Sequence, residues 1–218
     1  MLSPMLQSLL IEAAGQTAAM VGLAAAVAVV LGLPLALLLL VTGPGHIAPA
    51  RWINRSAALL INAVRSIPFI ILVVAIVPFT RLLVGTSIGT GAAAVPLAIA
   101  ATAFVARLFE TALREVDRGL IEAAQAMGAT RGQILWKVVV PEAAPGLVAA
   151  VTVTLVSLVG FSAMAGAVGG GGLGDLGIRF GYQRFMPEVM LVVVVLLILV
   201  VQGLQTIGDL LVRRVSHR

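Results

Sequence analysis

Long uncharged runs organise this chain. Thr17 to Val41 carries no charged side chain over 25 positions and Val189 to Gly208 none over 20, and about 20 apolar residues suffice for a helix to cross a bilayer. Ala143 to Val168 is also uncharged, Gly91 to Ala106 continues with helical character toward Glu110, and Ser56 to Thr80 is apolar apart from Arg65. The pattern predicts an all-α, polytopic membrane protein with five transmembrane helices at about 17–41, 56–80, 91–111, 143–168 and 189–212, forming one domain over 1–218. Pro34, Pro68, Pro78 and Pro96 fall inside or at the ends of these spans, where kinks are expected and neighbouring helices satisfy the freed carbonyls.

The connection at 112–142 is longer than a turn requires. Glu110 and Arg114 stand four apart in the favourable order for a helical ion pair, so the third span extends past the membrane surface. A short helix is predicted from Leu120 to Met127, with Asp117 as N-cap, Glu122 near the positive end of the dipole and Gly128 after the last turn. Thr130 and Gln133 have capping-box spacing and open a second short helix that is expected to end before Pro141.

Composition narrows the class. Of 218 residues, 61% are hydrophobic and 11% charged, against roughly 25% charged in a soluble domain. A disulfide scaffold, a disordered chain and a soluble enzyme are excluded. The net charge of +5 comes from thirteen Arg and one Lys scattered over the connections, which argues for orientation in a membrane and against nucleic acid as a partner. Nine of these residues (Arg51, Arg55, Arg114, Arg118, Arg131, Lys137, Arg213, Arg214, Arg218) fall on one side of a five-span arrangement, and three (Arg81, Arg179, Arg184) on the other. The positive-inside rule places the N-terminus outside and the C-terminus in the cytoplasm. Met1 to Gln16 has Glu12 and no Lys or Arg, so it lacks the basic start of a signal peptide.

The cytoplasmic connection carries a resemblance. Glu122-Ala123-Ala124, then Gly128-Ala129, then Val138 and Val140 before Pro141 resemble the EAA loop of bacterial ABC importer permeases, with Val138 and Val140 where Ile and Leu are usual. Arg65-Ser66-Ile67-Pro68-Phe69, Pro78-Phe79-Thr80-Arg81, Val84-Gly85-Thr86-Ser87-Ile88-Gly89 and Ser162-Ala163-Met164 before Gly166-Ala167-Val168-Gly169 are similar to the permease subunits of methionine importers, nearly throughout the chain. The resemblance implies a multi-pass protein of the bacterial inner membrane that forms a homodimer, with two cytoplasmic ATPase subunits that bind ATP and Mg, and an extracytoplasmic substrate-binding protein. It implies no cofactor in this chain. The solute implied is methionine, including the D-isomer and related amino acids; another small polar solute is the alternative, and a sodium-coupled carrier the mechanistic rival.

In that frame Glu122, Ala123, Ala124, Met127, Gly128, Ala129 and Pro141 are the candidate ATPase-coupling residues. Small residues permit close backbone approach in a groove, and Glu122 supplies one polar anchor. The candidate pathway or gate residues are Arg65, Ser66, Pro68, Gly160, Ser162, Met164 and Gly166. Two readings stand for Arg65, an interfacial snorkelling anchor or a group at the inner mouth, and two for Met164, core filler or gate. Gly169 to Gly172 reads as a flexible outer turn, compatible with a hinge at the outer mouth. The sole lysine, Lys137, follows no glycine-rich loop, so a P-loop is excluded. His46 and His217 lack partners at metal-ligand spacing. No acid or histidine lies in the middle of a span, which disfavours proton coupling.

Overall fold

The computed structural model describes residues 4–45 and 48–216, which are helical without strands. His46, His217 and Arg218 lie outside the described residues. The chain begins with α1 (Pro4–Thr42), whose 39 residues correspond to a rod of roughly 58 Å at 1.5 Å per residue. The helix starts well before the expected Thr17 because Pro4 is tolerated in a first turn and nothing up to Gln16 interrupts the pattern. Pro34 sits within α1, and Pro96 within α5 (Thr90–Arg114), without ending either helix.

Small residues decide how these two helices meet. Met20, Ala24, Ala28, Gly32, Ala36 and Leu40 recur every four positions on one buried face of α1, and Leu97, Ala101 and Val105 of α5 belong to the same core. A side chain on Gly32 would run into Val105. Close backbone approach of this kind favours helix association where lipid removes the hydrophobic drive. Against this pair packs α9 (Ala144–Ala167), through Ala150, Thr154 and Leu158, and α11 (Pro187–Val215) lies along α9, with its N-terminal part packed on Leu173 and Leu176. In α11 only Val189, Val193 and Gly208 are buried, so most of its surface is free for lipid or for another chain.

The second predicted span is not one rod. It consists of α2 (Arg51–Ser66), α3 (Phe69–Ala75) and α4 (Val77–Val84), with a bend of 102° between α2 and α3. Pro68 has no N–H to donate and forces its predecessor out of the helical region; Ile67 accordingly adopts φ −83°, ψ 124°. The start of α2 is tied to the end of α1, where Asn54 Nδ2 donates to the Leu39 carbonyl at 2.7 Å and to Thr42 Oγ1 at 3.1 Å. Among the described residues, α1, α5, α9 and α11 are long and apolar enough to cross a membrane, and the bent α2–α3 pair makes a fifth when counted as one broken span.

Two further expectations change. The glycine turn is packed, not loose: Gly171 and Gly172 at φ +76° and +81° abut Gln16 and Thr17, Gly172 N donates to Gln16 Oε1 at 2.8 Å, and Leu173 N donates to Thr17 Oγ1 at 2.9 Å. The turn leads into α10 (Gly172–Leu176) and a π-helical stretch, Gly177–Gln183, so the segment dips back against α1 and α9. The helix that begins at the Thr130 capping box also passes through Pro141 instead of ending before it. After α7 (Arg131–Ile134) the chain widens into π-helix at Leu135–Val139 and resumes as α8 (Val140–Glu142). The wider turn, with Val140 N bonded to the Leu135 carbonyl, relieves the clash that a proline ring makes with an ordinary preceding turn.

Candidate functional site

The loop between α5 and α9 folds into a corner held from both sides. At its first turn, Asp117 Oδ1 accepts from Gly119 N at 2.6 Å, which caps α6 (Arg118–Ala126). At its end, Gly128 N donates to the Gln125 carbonyl at 2.9 Å and Ala129 N to the Ala124 carbonyl at 3.1 Å. This double bond closes the helix as a Schellman motif and requires the left-handed φ of +80° that Gly128 adopts. Thr130 and Gln133 exchange both bonds of the capping box. The predicted caps thus stand where the sequence places them.

The candidate coupling residues divide between two faces of α6. Ala124 is 4% exposed and joins the main core with Ile134 and Val139, and Ala129 packs against the same core. Glu122, Ala123, Met127 and Gly128 face outward, Met127 with 82% of its surface free. Trp136 is also exposed on the neighbouring π turn. Pro141 is exposed beyond that turn, in α8, and lines a cleft of about 440 Å³ together with Asp117, the N-cap of α6. The outward face is therefore small, partly apolar and marked by one carboxylate, while its inner face is anchored in the bundle.

An ion cluster braces the approach to this corner. Glu110 is buried, with 5% exposed, between Arg107 and Arg114; Arg114 Nη2 lies 2.8 Å from Glu110 Oε1. Arg107 also donates to Asn62 Oδ1 through Nη2 at 3.1 Å, which ties α2 to α5. The Glu110–Arg114 pair is legible from spacing. Arg107 and Asn62 are not, although Arg107 three residues before Glu110 carries the i,i+3 signal.

The candidate pathway residues also separate. On α9, Val153, Gly160, Met164 and Val168 form one exposed stripe, and Met164 is 45% exposed. Ser162 and Gly166 lie on the opposite side. Ser162 is buried and donates to the Val159 carbonyl at 2.7 Å, and Gly166 abuts the backbone of Gly174 and Asp175. Arg65, Ser66 and Pro68 are exposed at the α2–α3 break. Stacking of Phe69 on Phe161, with ring centroids 4.9 Å apart, brings that break beside the Gly160 turn of α9. Toward the corner the stripe continues into a cleft of about 480 Å³ between α9 and α11, lined by Thr152, Ser157, Gln205 and Asp209. Asp209 and Gln205 are polar residues of this cleft that sequence reasoning passed over, because they lie near the charged end of an otherwise lipid-like run.

Similarity to characterised chains fits this architecture. Residues 28–218 match the family described as binding-protein-dependent transport system inner membrane component. The chain belongs to that family. This inner membrane component is 54% identical over 210 residues to a probable D-methionine transport system permease protein, MetI, of Vibrio cholerae, covering 96% of the chain and 93% of the relative. It is 44% identical over 181 residues to the methionine import system permease protein MetP of Bacillus subtilis, covering 83% and 82%. Its fold superposes on a chain of the inward-facing MetNI methionine ABC transporter with TM-score 0.98 and 49% identity, over 99% of this chain and all of that one.

Proposed function

We propose that the chain is the permease subunit of an ABC importer that carries methionine across the bacterial inner membrane, and that two copies form the pathway between them. The family, the methionine-related names of the relatives and the matching transporter fold support this reading. Among the described residues nothing groups three metal-ligating side chains, and the chain has no P-loop lysine. The work comes from two cytoplasmic ATPase subunits that bind ATP and Mg, and an extracytoplasmic binding protein delivers the solute. The excess of Arg and Lys in the connections that include 112–142 supports an N-terminus outside and a C-terminus inside.

One observation carries the coupling assignment: α6 is capped at both ends and fastened by Ala124 to the core, while Glu122, Ala123 and Met127 stand free. A helix fastened on one face and free on the other transmits a push on its free face to α5 and α9 instead of yielding. The exposed α9 stripe with Met164, facing the break at Arg65–Pro68, is the pathway wall, and a flexible thioether suits closure of an irregular gap. The test is co-purification of the ATPase with Glu122→Lys. The variant should insert and fold normally yet lose the ATPase; retention of the ATPase at wild-type stoichiometry removes α6 from the coupling role.

A further inference from the structure

The end of the bundle opposite the coupling corner holds a second, differently built cavity. Between the first turns of α1 and the Gly172–Met186 segment lies a cleft of about 580 Å³. Much of its wall is apolar, from Leu6, Leu9, Phe180 and Met186 among others, and four charged residues, Glu12, Asp175, Arg179 and Arg184, also line it. Arg179 Nη1 is paired with Asp175 at 2.9 Å. Glu12 accepts from Gln16 Nε2 at 3.2 Å, and the same Gln16 side chain fixes the glycine turn by accepting from Gly172 N. The Arg184 guanidinium lies 4.5 Å above the centre of the Phe180 ring. Neither Glu12 nor Arg184 has an ion-pair partner among the described residues, although both line the cleft.

We propose that this cleft binds a zwitterionic amphiphile, with an anionic group on Arg184, an ammonium on Glu12 and an apolar body along Leu6, Leu9 and Met186. Opposite charges lining one cleft suit a zwitterionic head group, and the exposed Arg184 guanidinium is held in place over the Phe180 ring, available for an anionic group. The exposed aromatics beside the site argue for a lipid source. Tyr182 and Phe185 beside the cleft are 71% and 86% exposed, and exposed aromatics of this kind collect at the membrane–water boundary. Phe185 holds a left-handed φ of +53°, a conformation unusual for a bulky residue. A free apolar amino acid offers the same pairing of charges with an apolar body, so the experiment separates the two sources.

The assembled permease–ATPase complex, stripped of lipid in detergent, is titrated with phosphatidylethanolamine or phosphatidylglycerol and adducts are counted by native mass spectrometry. Labelled methionine binding is measured in parallel without the binding protein. Phosphatidylethanolamine is expected to bind in preference to phosphatidylglycerol, with affinity falling roughly tenfold in Arg184→Gln and in Glu12→Gln, and less in Arg184→Lys. Methionine binding that falls in the same variants, with no lipid preference, supports the site with an amino acid as its source. Equal binding of both lipids together with methionine binding untouched by either substitution overturns the proposal. ATP-driven uptake does not enter these readouts, so the result stands apart from the transport reading.

Discussion

Glu110 is the charged side chain held deepest among the described residues, and its two arginine partners make it a joint between α5 and, through Arg107 and Asn62, α2. Removing one member of a buried pair leaves the others poorly solvated, at about 3 kcal/mol; because both arginines keep some contact with solvent, that figure is an upper bound here. Glu110→Gln should therefore lower the detergent melting temperature of the purified chain, and an unchanged melt removes the cluster from the list of structural joints. Gly128 acts differently, through backbone geometry. At φ +80° a residue with Cβ is strained by about 1–2 kcal/mol, while Asn tolerates the conformation better. Gly128→Ala should weaken ATPase retention more than Gly128→Asn does, measured by the ratio of the two chains after affinity purification; the reverse order contradicts the Schellman closure as the feature that shapes the corner.

At the scale of elements, the packed glycine turn makes a sharp contrast within one helix pair. A side chain on Gly174 would meet the backbone of Ala163, whereas Gly160 has nothing within 4 Å. Gly174→Leu should abolish folded yield in membranes and Gly160→Leu should leave it near wild type, as read by fluorescence-detected gel filtration. Equal yields would mean that α10 does not need its seat against α9. These elements also show where sequence is informative. The caps at Asp117, Gly128 and Thr130 were legible because local hydrogen bonding determines them. The helices α5 and α9 matched their apolar runs for the same reason, that lipid requires each backbone to satisfy itself. The 102° turn at Pro68 was legible only as a kink, since its size depends on how α2 lies across α1 and α5. The glycine turn reads as loose from sequence because the partners that hold it, Gln16 and Thr17, lie 156 residues away along the chain. Ser162 and Gly166 share a span with Met164, and only the angular position set by packing shows that they point the other way.

The whole molecule is a bundle with a braced corner at one end, a sealed glycine turn at the other and an exposed stripe between them on α9. A chain of this size with α11 largely uncovered leaves its polar cleft at Gln205 and Asp209 facing outward, and such groups are retained in membranes when they meet water or another chain. Under the proposed two-copy assembly, pairing across that surface would give them both. Met164→Ala should then change the number of solute molecules imported per ATP hydrolysed while leaving the complex assembled; an unchanged ratio returns Met164 to a packing role. The most direct measurement is uptake of labelled methionine into proteoliposomes holding the purified chain alone, or the chain with its ATPase, binding protein and enclosed ATP in the orientation that import requires. Accumulation against a gradient is expected only with the full set of partners and ATP, and accumulation by the chain alone in a sodium gradient would contradict the account.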